Sequence, residues 1–188
     1  MNQYKKLTFY NYKKYEKDFL SLKDKHIKSF IDKIISFGAS ADKIDYSPES
    51  LIIVWEFSYD KIKKISPVPE YPEDKLPIWF YIHEKNIYNE KHGYTIDSLW
   101  LIDGLVYYLG EVLIKSNKEL KWEAFYEKGS RMNYQYKPVI KGFKRKNIYP
   151  FNQIFVIAVN TWLKDENNNL LKTNIYDAYN SIISIYKK

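Results

Sequence analysis

Between Leu99 and Ile114 the chain reads Leu-Trp-Leu-Ile-Asp-Gly-Leu-Val-Tyr-Tyr-Leu-Gly-Glu-Val-Leu-Ile, apolar on nearly every side, with only Asp103 and Glu111 set into it. A helix of that kind has protein all around it, because no face is left polar enough for water. Ionised side chains are almost never buried without partners, so Glu111 in particular is expected to be held by hydrogen bonds or a cation. The stretch falls short of the roughly 20 residues that span a bilayer. It predicts a core helix around which the rest of the chain packs.

The flanking segments supply that packing. From Tyr10 to Phe37, Tyr15, Phe19, Leu22, Phe30 and Ile34 recur at helical spacing, and Gly38 follows as a stop. The lysines off this stripe alternate with Glu16, Asp18, Asp24 and Asp32, the pattern of a solvated helix face. Ser47-Pro48-Glu49-Ser50 reads as a helix start, with Ser47 as N-cap, and predicts a helix to about Ile65 carrying Leu51, Trp55, Tyr59 and Ile62 inward. Pro67 stops it, and Pro69, Pro72 and Pro77 hold the next segment extended. Ile78 to Tyr88 fits neither period well and is taken as a short helix. Thr95 or Asp97 caps the core helix, which runs to about Ser116.

Beyond it the period changes to two. Trp122, Ala124 and Tyr126, then Tyr134, Tyr136 and Ile140, alternate with polar residues and predict a β-hairpin. Pairing Glu127 with Asn133 places Glu123 opposite Lys137. Asn152–Leu163 and Thr173–Tyr186 show helical stripes again. The expected fold is helix-rich α+β, a single domain over residues 1–188, with a small antiparallel hairpin or sheet on a central apolar helix.

The chain has no cysteine, so disulfides, thiolate metal sites and a cysteine nucleophile are excluded, and the cytoplasm is the simplest location. Its N-terminus has no apolar core of a signal sequence, and neither export nor membrane insertion is expected. The familiar catalytic patterns are missing. His83-Glu84 lacks a second histidine one turn on, where Ile87 stands, and the three histidines are expected at the surface with no metal to hold. Glu-x-Lys occurs only at Glu73–Lys75 and Glu119–Lys121, as often as chance produces it. The glycines are scattered, without a phosphate loop or a nucleophile elbow. Asp103 and Glu111 sit about 80° apart around a helix, a poor arrangement for a paired acid and base. No cofactor is expected.

Lys128 to Pro150 carries seven lysines and arginines and no acidic residue, as much charge as the +7 of the whole chain. Such a field steers an anionic partner. Arg131, Tyr134, Lys137, Lys141, Lys144, Arg145, Lys146 and Tyr149 are therefore the candidate binding residues. Cations interleaved with rings also suit single-stranded nucleic acid. The chain nevertheless has only two arginines, the residue best shaped to grip phosphate and guanine.

The residues Tyr107-Tyr108-Leu109-Gly110-Glu111-Val112-Leu113, Lys121-Trp122-Glu123, Tyr136-Lys137-Pro138-Val139 and Pro150-Phe151-Asn152 resemble bacterial domains of the Y-x-G-E-V…W type. Some of these resemble immunity proteins of polymorphic toxin systems. Ser47 to Leu51 fits the same pattern, so the likeness runs from about Asp45 to Trp162. It implies a small cytoplasmic protein that neutralises a partner by binding it, and brings no active site with it. Gly110 would let a neighbouring element approach, and Glu111 would accept from the Trp122 indole as a clasp between helix and hairpin. The resulting expectation is a non-enzymatic protein that binds an acidic protein, such as a toxin. The alternative is a nucleic-acid-binding protein or metal-dependent nuclease.

Overall fold

A computed structural model describes residues 4, 6–83, 92–144, 147–154 and 174–186, and opens with the long helix α1, Tyr12–Ser36. Tyr15, Phe19, Ile27, Phe30 and Ile34 are its buried stripe, with Ile27 standing where Leu22 was expected. Its outer face is laced by Lys13–Glu16, Lys14–Asp18 and Lys28–Asp32 ion pairs. Gly38, at φ +106°, donates to Ile35 while Ala39 donates to Ile34, a Schellman ending that requires a left-handed residue.

The second helix, α2, spans Ser50–Glu56 with Glu49 at the N-cap position instead of the expected Ser47, whose Oγ accepts from the Ser50 amide at 3.2 Å in the turn that leads in. It stops well short of Ile65. Ser58 Oγ turns back to the Val54 carbonyl at 2.6 Å, a 3-10 turn follows over Tyr59–Lys61, and Lys64–Ile65 becomes strand β1. Two contacts make the chain leave the helix there. The Lys63 amide donates to Ser98 Oγ at 2.7 Å, and its carbonyl accepts from Thr95 at 3.1 Å. Local periodicity yields to these long-range bonds. Strand β2, Gly93–Tyr94, pairs antiparallel with β1. A Cβ at Gly93 would lie 2.3 Å from the Tyr71 hydroxyl, so only glycine lets the segment cross there. A 3-10 turn over Phe80–Ile82 replaces the start of the helix expected from Ile78. The remainder of that expected helix lies outside the described residues.

The core helix α3 is Ile96–Ser116, capped by Thr95 rather than Asp97, with Thr95 Oγ1 accepting from Ser98 at 3.1 Å. Fourteen of its residues are buried. It crosses α1 closely because a Cβ at Gly104 would fall 2.3 Å from the Phe30 ring, and Tyr107 meets Phe19 at 4.5 Å while its hydroxyl donates to the Phe19 carbonyl at 2.7 Å. Full burial of a ring such as Phe19 or Phe30 contributes about 1.5–3 kcal/mol. The buried carboxylate is Asp103, 1% exposed. Trp79 Nε1 donates to its Oδ1 at 2.7 Å, and His26 Nδ1 lies 2.7 Å from its Oδ2. Burial pushes the Asp103 carboxyl above its usual range, and the contact with His26 pulls the other way.

Strands β3, Lys121–Ala124, and β4, Pro138–Lys141, form the second antiparallel pair. Glu123 lies opposite Val139, so the register differs by two residues from the expected one. The cause is the turn: Tyr136, at φ +67°, donates to the Phe125 carbonyl at 2.7 Å, and residues 133–136 fold into a turn instead of extending the strand. A shift of two keeps every side chain on its face. An Ile140–Ile148 bridge extends this sheet's edge. Residues 150–154 are helical, and the rest of the segment to Leu163 lies outside the described residues. The last helix, α4, Asn174–Tyr186, buries Ile175, Tyr179 and Ile182 and packs on α2. The fold is thus helix-rich α+β, with two small two-strand sheets set against helices. Among the described residues, no helix is long and apolar enough to cross a membrane.

Candidate binding surface on the hairpin

The hairpin is fastened to α3 by a polar clasp beside the packing of β4 on the same helix. Trp122 Nε1 donates to Glu111 Oε1 at 3.0 Å, and Glu111 Oε2 meets Lys23 of α1 at 3.0 Å. The indole fills the space above Gly110, where a Cβ would come within 2.0 Å of Trp122 Cζ2. Glu111 also walls an open groove of about 330 Å³ with Lys23, Asp24, Lys28 and Tyr46, but both its oxygens are engaged at the clasp. On the far side Glu16 Oε1 accepts from the Ala124 amide, tying β3 to the second turn of α1.

The structure distributes the sequence candidates among three environments. Lys141 Nζ lies 2.6 Å from Glu123, which also takes Lys121 at 2.9 Å. These hydrogen bonds from Lys141 and Lys121 hold the Glu123 carboxyl down at about 2. Lys121 and Lys141 face each other directly in the register, and one carboxylate bridges both, leaving the trio at a net +1.

Tyr134 and Tyr149 are interior, and Tyr149 bonds through its hydroxyl to His83 Nε2. His83 is itself buried and stacked 3.8 Å from the Phe151 ring, which corrects the expectation that the histidines are surface groups. Burial, and then the charge of Lys137, holds its imidazole well below the usual range. Lys137 stands 5.4 Å over the Tyr149 ring, and burial brings its ammonium down to about 8. Its side chain is half-buried, and Val139 rather than Lys137 stands opposite Glu123, so the cross-strand pair expected from the sequence does not form.

Arg131 and Lys144 are exposed, and Arg145 and Lys146 lie outside the described residues. Between the turn end of the hairpin and the start of α1 lies a feature that the hydrophobic period does not mark. Phe9, Tyr10 and Tyr126 are 54%, 95% and 39% exposed, and they join Tyr12 and Tyr136 in one run of touching rings. Tyr126 and Tyr136 stack at 5.8 Å and 14°, Phe9 meets Tyr126 at 5.3 Å, and Lys13 sits 5.5 Å over Tyr12. Met132, 51% exposed, rises from the same loop as Lys128 and Arg131, both exposed. A signal existed in the aromatic pair Phe9-Tyr10 at a polar terminus, but nothing local tied it to Tyr126.

Among the described residues no three His, Asp or Glu side chains converge to hold a metal ion. Comparison with protein-family models, with curated proteins and with solved structures finds no match.

Proposed function

We propose that this chain is a binding protein that captures an acidic partner protein, in the manner of an immunity protein, through the aromatic and cationic face at the turn end of the hairpin. The observation that carries this reading is the run in which exposed Phe9, Tyr10 and Tyr126 are held ring against ring with half-buried Tyr12 and Tyr136. Exposed aromatic surface costs solubility, and contiguous patches of it mark interaction sites. Rings already fixed by one another lose little entropy when a partner covers them, and tyrosine and arginine dominate interface energetics. Arg131, Lys128 and Lys13 supply the cationic rim that selects an acidic surface. The partner is a protein rather than a nucleic acid because Tyr126 and Tyr136 stack on each other, which occupies ring faces that unstacked bases would use.

The test is retention of a partner from lysate on the immobilised protein, followed by a salt step, a nuclease step and mass spectrometry. The expected result is an acidic protein that salt elutes and nuclease leaves bound. A Tyr10→Ser/Tyr126→Ser variant and an Arg131→Glu/Lys144→Glu variant, each checked for a native circular dichroism spectrum, lose it. Retention that survives both variants overturns the reading. Retention that nuclease abolishes replaces it with the nucleic-acid alternative.

A further inference from the structure

On the opposite flank of the α1–α3 crossing, a groove of about 350 Å³ opens over the buried Asp103. Its floor is the His26 ring, whose side chain is 10% exposed. Asp103 orients that ring from behind: Trp79 fixes one carboxylate oxygen, and the other lies 2.7 Å from His26 Nδ1. The carboxylate lies at ion-pair distance behind Nδ1, where neither atom has an aligned hydrogen bond, so that side of the ring is closed to a ligand. The ring itself lines the groove, and among the described residues no contact engages its other nitrogen, Nε2.

One wall is Trp100, edge-on to the His26 ring at 5.1 Å and 86°. Its own indole nitrogen donates to the Lys75 carbonyl at 3.0 Å, so the ring is fixed in place before any ligand arrives. At the rim Lys33 is paired with Asp97 at 2.9 Å, whereas Lys25 lines the groove with no carboxylate partner among the described residues. The Asp103 charge is sealed behind the imidazole. The groove therefore presents a rigid aromatic wall, a poised imidazole nitrogen and one unpaired ammonium within a volume suited to a small molecule.

We propose that this groove is a binding site for a small aromatic carboxylate, with the ring against Trp100 and the carboxylate bridging His26 Nε2 and Lys25. This site is separate from the hairpin face, and its test does not involve a partner protein.

The experiment follows the ring signals of carbon-13 histidine by NMR while benzoate, nicotinate, benzamide or acetate is added to the full chain. The expected result is a saturable shift of the His26 signal with benzoate or nicotinate, with little response to benzamide or acetate. Lys25→Met, an exposed change that leaves the buried pair intact, should weaken the response about tenfold. Trp100→Ala should reduce it further. No saturable shift, a response to benzamide equal to that to benzoate, or a Lys25→Met titration matching the parent overturns the proposal.

Discussion

Trp122 and Glu111 are joined by an indole hydrogen bond of 3.0 Å across the bare Cα of Gly110, where α3 admits the tryptophan ring. The pairing couples the helix, the hairpin and, through Lys23, α1. Gly110→Ala is the sharpest probe of it. An added Cβ lies 2.0 Å from Trp122 Cζ2, so the ring must move and the hydrogen bond with it. The expected loss is about 1–3 kcal/mol of stability in urea denaturation. Gly129→Ala is the control: open space surrounds that position, and only its φ of +79° resists a side chain, a cost of about 1–2 kcal/mol. A Gly110→Ala protein as stable as the parent would show that the hairpin is not packed on this helix.

Lys137 should behave as an unusual amine. Burial brings its folded-state value down to about 8 from 10.5, so between those values the unfolded chain binds more protons than the folded one. Stability attributable to this group therefore rises with pH across that window, and at neutral pH its buried charge is a net cost. Lys137→Met is expected to be more stable than the parent at neutral pH, with the difference closing above pH 10.5. Competitive acetylation followed by mass spectrometry should show Lys137 labelled fastest near neutral pH. Labelling of Lys137 at the rate of the exposed lysines would contradict its placement over Tyr149.

Glu123 works in the opposite direction. Lys141 and Lys121 hold its carboxyl at about 2 when folded, against 4.5 for a free glutamate. Its contribution is thus complete above pH 4.5 and is lost as pH falls toward 2. Glu123→Gln should be less stable than the parent at pH 7, leaving Lys121 and Lys141 facing each other, and the gap should narrow through that acid window. A gap that stays constant with pH would place the cost elsewhere than in the charge.

How legible these groups were depended on whether their partners were local. The core helix, the Thr95 cap and the end of α1 at Gly38 were readable because each depends on neighbours within one turn. The helix expected from Ser47 to Ile65 was not, since Ser98 and Gly93, far along the chain, pull Lys63–Ile65 into a strand. Among the carboxylates, attention to Glu111 found the clasp but passed over the deeper Asp103. Its partner His26 stands on the buried stripe of α1, seven residues after Phe19 and four before Phe30, a spacing that marks it as inward-facing. The count of basic residues in the hairpin was right. The charge available to a partner is smaller, because Glu123 claims Lys141 and the Tyr149 ring covers Lys137.

The last prediction concerns Tyr136, which is held at φ +67°, where a residue with a side chain is strained by about 1–2 kcal/mol. The strain is maintained by the Phe125 carbonyl, which accepts from the Tyr136 amide at 2.7 Å, and it sets the ring flat against Tyr126. Such conformations persist where the surrounding structure over-determines them, often at functional positions. Tyr136→Gly relieves the strain but gives up about 0.5–1 kcal/mol to the freer unfolded chain, together with the ring contacts. The two effects nearly cancel, so the denaturation midpoint should stay close to that of the parent. Partner retention should not survive, because Tyr126 loses the ring that fixes it. A Tyr136→Gly protein that is markedly destabilised would make the residue a structural prop. One that retains the partner in full would move the docking face away from the hairpin turn, toward Phe9 and Tyr10.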